Sequence, residues 1–318
     1  MRVAFYTISV SPHQLPLYER VAERCDFRYI SINPGWRGRQ IETSCKVLSA
    51  DCDEAKEWLE NCEVLILDRR DLGLIERRCK RGLKTFYGNE RWFKPVVVVG
   101  VSCSGRIRIL VPSFRKMAKK FVELTKTYDC FRLLPYGVWA ERDFEWLGVP
   151  AHKMTTWGYF VSPSVYDGHV EVERCRNVLW VGRKEVKWKR LCDVEKACKM
   201  AGVGLDVVSG RPLEEVREEM RKHDVLVMSS TAEEGWGAVV NEALEEGMCV
   251  IGTYEAGSSA TILPPEMLYH AGDIKTLAFL ISHAEVERWR KIERELYGEK
   301  WTVAKGCERM MKMLEGKE

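Results

Sequence analysis

Glu234 and Glu242 stand with seven residues between them in the stretch SSTAEEGWGAVVNEALEEGMCVIG, Ser229 to Gly252. The apolar run Val225 to Met228 has the length of a buried strand and leads into a polar, glycine-bearing loop, Thr231 to Gly237. Val239, Val240, Ala243 and Leu244 then recur at helical spacing within 238–246, Gly247 stops that helix, and 249–251 begins another strand. Strand, loop, helix and strand make the βαβ unit of an open parallel sheet, whose ligands bind beyond the carboxyl ends of the strands. Arg183 follows a second such run, NVLWVG, and a guanidinium at a strand end suits a bidentate grip on phosphate. Lys187 and Lys189 lie close behind it.

Three further groups could do chemistry. His13 lies in the loop after the first expected strand, 3–8, either as a working side chain or as a surface residue. Glu90 follows the expected strand 83–87; it either accepts a proton, given burial that raises its pKa, or pairs with Arg91 at the surface. Asp51-Cys-Asp53 has the form of a DxD metal motif. The helical pattern Ala55, Trp58, Leu59 follows it and no strand is expected before it, so acids at a helix N-terminus account for it better.

These residues need a scaffold of α/β type. The 318 residues suffice for one large or two ordinary domains, and 46% apolar with 31% charged residues is the balance of a globular protein. No apolar run reaches 18 residues, and the opening MRVAFYTISVSP reads as a first strand and not as a signal peptide. Twelve cysteines are scattered with no Cys-x-x-Cys, which suggests buried thiols in a reducing, cytoplasmic compartment and no zinc site. The net charge of +3 does not indicate nucleic acid. Dinucleotide G-x-G-x-x-G, P-loop and G-x-S-x-G patterns are absent. The helix 113–126 has an apolar face (Phe114, Met117, Ala118, Phe121, Val122) and a basic one (Arg115, Lys116, Lys119, Lys120, Lys126). It packs on a sheet or rests on an anionic membrane surface at the inner face. The basic, aromatic loop 33–39 either holds an anionic or sugar group or is a turn.

The run Glu234-Gly-Trp-Gly-Ala-Val-Val-Asn-Glu242, followed by Ala-Leu-Glu-Glu-Gly, resembles the E-x7-E motif of retaining GT-B glycosyltransferases, glycosyltransferase family 4 in particular. Val-Gly182-Arg183 with a downstream lysine resembles that family's phosphate-binding signature, and the spacing to the next helix selects Lys189. The resemblance implies a GT-B architecture, two Rossmann-like parallel-sheet domains facing a central cleft: an acceptor-side domain over 1–165, a nucleotide-sugar domain over 166–291, and a C-terminal helix in 292–318 returning to the first domain. It implies a metal-independent hexosyltransferase without cofactor, moving sugar from a nucleotide-diphosphate sugar to a hydroxyl acceptor such as a glycan, glycolipid or lipid-linked precursor. Glu234 would hold sugar hydroxyls and Glu242 the ribose. Gly182, Gly235, Trp236, Gly237, Ala238 and Val239 would line the donor, while Arg183 and Lys189 offset charge on the leaving diphosphate. His13 and Glu90 would face the acceptor. The chain departs from the family pattern at Gly210-Arg-Pro212, where a helix and strand near the base pocket are missing, and it lacks a histidine near Glu90. A GT-B epimerase or phosphorylase, or a non-catalytic nucleotide-sugar binder, remains open.

Overall fold

The structure is a computed structural model that describes residues 1–33, 35, 41–98, 101–164 and 172–317, with the backbone alone at 96–98 and 101–103. The chain divides into two compact units, Met1–Val161 with Val303–Glu318, and Ser162–Thr302.

The first unit runs β1 (Arg2–Ser9), α1 (Leu15–Ala22), β2 (Asp26–Asn33), β3 (Val47–Ser49), α2 (Asp53–Asn61), β4 (Val64–Leu67), α3 (Leu72–Lys80) and β5 (Lys84–Asn89). A small antiparallel pair, β6 (Val96–Val98) and β7 (Val101–Cys103), precedes α4 (Pro112–Thr127), β8 (Phe131–Pro135) and α5 (Val138–Leu147). Six strands form one parallel sheet in the order β3-β2-β1-β4-β5-β8. The connection reverses direction between β1 and β4, the switch point of a doubly wound fold. Both faces are covered, so β4 is apolar and buried at every residue, VLIL.

The second unit runs β9 (Asn177–Val181), α6 (Leu191–Ala201), β10 (Gly204–Val208), α7 (Leu213–Met220), β11 (Val225–Met228), α8 (Val239–Glu245), β12 (Cys249–Thr253), α9 (Gly257–Ile262), β13 (Leu268–Tyr269), α10 (Ile274–His283) and α11 (Val286–Lys300). Its sheet is also parallel, in the order β10-β9-β11-β12-β13, with the switch point between β9 and β11. The last helix, α12 (Val303–Glu315), belongs to the first unit. There Arg309 donates to the Thr156 carbonyl at 2.7 Å. Gly306 lets the helix close on Phe160, because a Cβ would lie 2.5 Å from that ring.

Several expectations are refined. A strand does precede Asp51: β3 is only three residues long, too short to stand out in the sequence. The helix-start reading of the acids holds, since Cys52 caps α2 by accepting from the Ala55 amide, and Asp53 and Glu54 lie in its first turn. Helix α4 spends its apolar face on the core, with Ala118, Phe121 and Leu124 buried, and turns Arg115, Lys116 and Lys119 outward. Its Lys120 pairs with Glu76 and Glu123. The expected tail helix is two helices, α11 and α12. Residues 34 and 36–39 of the loop 33–39, expected either to hold an anionic or sugar group or to be a turn, lie outside the described residues, as do 165–171 at the expected domain boundary. No helix among the described residues is long and apolar enough to cross a membrane. The cysteines whose side chains are described are free thiols, and Cys192 is the exposed one among them.

Each unit is anchored by a buried ionisable side chain at the amino ends of its strands. In the first, Arg78 of α3 is fully buried and donates to the carbonyls of Leu59, Glu60, Cys62 and Lys84 at 2.9–3.2 Å and to the Thr85 hydroxyl at 3.2 Å. One fork thereby satisfies the orphan carbonyls at the end of α2 and ties them to the starts of β4 and β5. In the second, the Glu293 carboxyl of α11, which burial holds well above the usual carboxylate range, accepts from the Val250 amide at 3.0 and 3.1 Å. It serves β12 at a point that β13 does not reach, since β13 pairs only with Gly252 and Thr253.

Arg78→Met would leave several buried carbonyls without donors, at about 1–3 kcal/mol for each group that cannot relax. The expected result is a loss of at least about 3 kcal/mol, read as a lower urea midpoint. Arg78→Lys should recover only part of it, because one ammonium cannot reproduce a five-donor fork.

Candidate functional site

The strongest cluster lies in the second unit, at the carboxyl ends of β9 and β11. From β9 the chain passes Gly182 and Arg183 into a short 3-10 turn, Lys187–Lys189, then through Arg190 into α6. Arg190 has φ 53°, the one non-glycine in the left-handed region among the described residues, and its guanidinium is fixed to buried Asp193. Such a conformation is disfavoured by about 1–2 kcal/mol and persists where the surroundings over-determine it. Here it aims the preceding side chain, Lys189, across to the neighbouring loop.

That loop begins at Ser229 and Ser230, directly after β11. The Ser229 hydroxyl donates to the Lys189 carbonyl at 2.7 Å and accepts from the Trp180 indole at 3.0 Å. The Thr231 amide donates to the Trp188 carbonyl at 2.9 Å. With the two loops tied, the Lys189 ammonium pairs with the Glu234 carboxylate, which also accepts from the Ser230 hydroxyl at 3.0 Å. Both partners of the pair are mostly buried, with 17% and 14% of their side chains exposed. Arg183 lies in the same loop as Lys189, but its side chain is exposed and is not part of this pair.

Gly235 and Trp236 are held from behind. The Ser258 amide donates to the Trp236 carbonyl at 2.9 Å, and the Ser258 hydroxyl to the Gly237 carbonyl at 2.9 Å. Gly257 makes this approach possible, because a Cβ there would lie 2.2 Å from the Gly235 carbonyl oxygen. Residues 257–259 are thus the start of α9, docked against the Glu234 loop. The Trp236 side chain is fully buried, bonds Asn241 at 2.8 Å and packs on Trp301 with centroids 5.4 Å apart. It is a brace, and any ligand contact at this position falls to its backbone. Ala238 is the N-cap residue and Val239 the first residue of α8, a helix slightly shorter than expected.

Glu242 is buried inside α8. Burial pushes its carboxyl up to about 7, against a smaller pull down from Arg217 and Lys189. A group at that value changes charge near neutrality, as residues at functional sites often do.

A second cluster sits in the first unit, around the carboxyl ends of β1, β4, β5 and β8. His13 and Glu90 are both brought to Tyr159: the imidazole lies 6.1 Å from the Tyr159 ring, whose hydroxyl donates to Glu90 at 3.2 Å. In place of Arg91, the ion partner expected for Glu90, the structure puts Lys94 at 2.8 Å, one helical turn's spacing along. Asp68, at the β1–β4 switch point, is a residue that the motifs do not mark. Its Oδ2 accepts from the Thr7 hydroxyl at 2.6 Å, and its Oδ1 is buried without a hydrogen-bond partner among the described residues. Burial raises it to about 6, with the Thr7 bond and Arg69 pulling down. The signal that could have found it is positional: an acid one residue past a fully apolar four-residue strand, VLILD.

No group of three or more His, Cys, Asp or Glu among the described residues has the geometry of a metal site. No protein-family model and no curated protein matches the chain. Solved structures do. HepE (Alr3699) of Anabaena, in complex with UDP, is similar over 99% of this chain and 100% of its own, at 12% identity and a TM-score of 0.69. The apo form of the lipopolysaccharide outer core galactosyltransferase WaaB is similar over 100% of both chains, at 13% identity and a TM-score of 0.68. Sucrose-phosphate synthase of Thermosynechococcus elongatus is similar over 99% of this chain and 98% of its own, at 13% identity and a TM-score of 0.66. The fold is therefore α/β with two Rossmann-like parallel-sheet domains, the GT-B fold of glycosyltransferases.

The Glu242 shift has a consequence for stability. The unfolded chain releases this proton near 4.5, while the folded chain holds it to about 7, so stability falls as pH rises between those values. The penalty is complete above the upper value and amounts to roughly 3 kcal/mol. Thermal melts at pH 5 and pH 8 should show a smaller decline for Glu242→Gln than for the wild type. Parallel declines would mean that Glu242 is ionised in the fold throughout.

Proposed function

We propose that the protein is a retaining glycosyltransferase of family-4 type, moving a hexosyl group from a nucleotide-diphosphate sugar to an acceptor hydroxyl. The observation that carries this reading is the Lys189–Glu234 pair at the switch point of the second sheet, where open parallel sheets take their ligands. The fold supports it, as does the UDP in the similar HepE structure. In this reading Glu234 accepts hydrogen bonds from the sugar hydroxyls and Glu242 from the nucleotide ribose. Gly182, Gly235, Gly237, Ala238, Val239 and the Trp236 backbone line the donor. As the bond from the anomeric carbon to the diphosphate breaks, negative charge grows on the leaving group. Lys189 is preorganised beside Glu234 to meet it, and exposed Arg183 closes on the phosphates as a second cation. The acceptor oxygen bonds to the anomeric carbon on the face the diphosphate leaves, and its proton passes to the departing phosphate oxygen. No metal or cofactor enters the reaction.

On the acceptor side the tyrosine-linked group His13–Tyr159–Glu90 and Asp68, whose carboxyl burial raises to about 6, are the polar groups available to orient a hydroxyl. The protein acts in the cytoplasm, and contact of the basic face of α4 with an anionic membrane would be electrostatic, since its apolar face is spent on the core.

A thermal-shift screen against UDP-, GDP- and ADP-sugars should give a higher melting temperature with at least one, because a ligand bound only by the folded state stabilises it. A flat response to all of them would sink the donor assignment. With the responding donor, Lys189→Ala and Arg183→Ala should each lower the transfer rate by roughly 100- to 1,000-fold. Glu234→Ala should abolish most of the shift with the nucleotide sugar while sparing more of the shift with the bare nucleotide diphosphate. Retained binding without turnover in the wild type would instead identify a nucleotide-sugar binder.

A further inference from the structure

Beyond β5, residues 91–93 and the second turn of α5 enclose a cavity of about 210 Å3 inside the first unit. With each liquid water occupying about 30 Å3, that is room for several waters or for one tetrahedral oxyanion with its solvent. Three arginines line it, Arg91, Arg106 and Arg142, together with Ser104, Trp139 and Asp143. Arg142 and Arg91 both stack on the Trp139 indole, with guanidinium carbons 4.8 and 5.7 Å from its centroid. Arg106 stacks on Trp146 at 5.0 Å. The carboxylate, Asp143, is buried in the wall, where it accepts from the Phe93 amide at 2.9 Å and lies 3.9 Å from Arg91.

Three cations against one carboxylate leave an excess of two positive charges around a small opening, with Arg106 and Arg142 exposed. Stacking on indole orients a guanidinium but does not neutralise it. An oxyanion would: its oxygens match the donor forks, and hydrogen bonds of that kind are the strong ones. The cavity opens beyond the carboxyl ends of β5 and β8, the ligand side of an open parallel sheet, one residue from Glu90.

We propose that this cavity binds a phosphate group, and that the group belongs to the acceptor, which is then a phosphate-bearing hydroxyl compound. Assigning the phosphate to an acceptor rests on the glycosyl-transfer reading; the anion site does not. Ile107 and Leu110, on the same 3-10 turn as Arg106, are exposed, so the phosphate has two sources to be told apart: a soluble phosphorylated sugar or a lipid headgroup.

Calorimetry at low salt would compare glucose 6-phosphate with glucose, and sedimentation would follow vesicles of phosphatidylglycerol in phosphatidylcholine. The wild type should bind one phosphate-bearing probe at least about tenfold more tightly than its neutral counterpart, the margin of one or two charge-assisted hydrogen bonds. The double variant Arg106→Ala/Arg142→Ala should lose that margin with an unchanged melting temperature and an unchanged thermal shift with nucleotide sugar. Arg142→Lys should lose less. Arginine-dependent binding to vesicles alone would identify a lipid headgroup as the source. Binding by the double variant as tight as the wild type's, or no binding of either probe by the wild type, would overturn the proposal. Arginine-dependent phosphate binding by a protein that responds to no nucleotide sugar would keep the anion site and remove the glycosyl-transfer reading.

Discussion

The second unit depends on a tie between two loops that the sheet itself cannot align. At a switch point, neighbouring strands send their connections to opposite faces, so nothing in the ladder sets the distance between the loop leaving β9 and the loop leaving β11. The Ser229 hydroxyl sets it by bonding to the Lys189 carbonyl, and the Thr231 amide repeats the tie at Trp188. Only with those loops joined can Lys189 and Glu234 meet. The left-handed turn at Arg190 and the glycine contact at Gly257 then hold each loop from its far side.

The two units share a division of labour along their strands. Arg78 and Glu293, one a donor fork and the other an acceptor, both work at the amino ends, where they satisfy backbone groups that strands and helices leave open. The carboxyl ends carry the titratable groups: Glu242 and Asp68, both pushed toward neutral pH by burial, and the mostly buried ion pair Lys189–Glu234. Rigidity at one end and adjustable charge at the other is the arrangement a ligand-binding sheet requires.

Local pattern made much of this legible in advance. The βαβ unit around Glu234, the basic helix, the strand ending at Gly182 and the helix starting at Asp53 all follow from periodicity and capping, which act within a few residues. The features that escaped are non-local. The three residues of β3 are a strand only because β2 lies beside them. Glu90 pairs with Lys94 while Arg91 turns toward Asp143, on a helix far along the chain. Asp68 gains its character from burial beside Thr7, and the burial of Trp236 depends on Trp301 and Asn241. A motif could mark the tryptophan but not tell a brace from a binding surface.

One thiol has a practical consequence. Among the cysteines whose side chains are described, Cys192 is the exposed one and lies in the first turn of α6, three residues after Lys189, while the rest are buried or half-buried. Of those thiols, it is the one a thiol-reactive fluorophore would reach first, three residues along the chain from Lys189 of the charged pair. The fold comes supplied with a place for an optical probe that reads the candidate donor loop without any engineered residue.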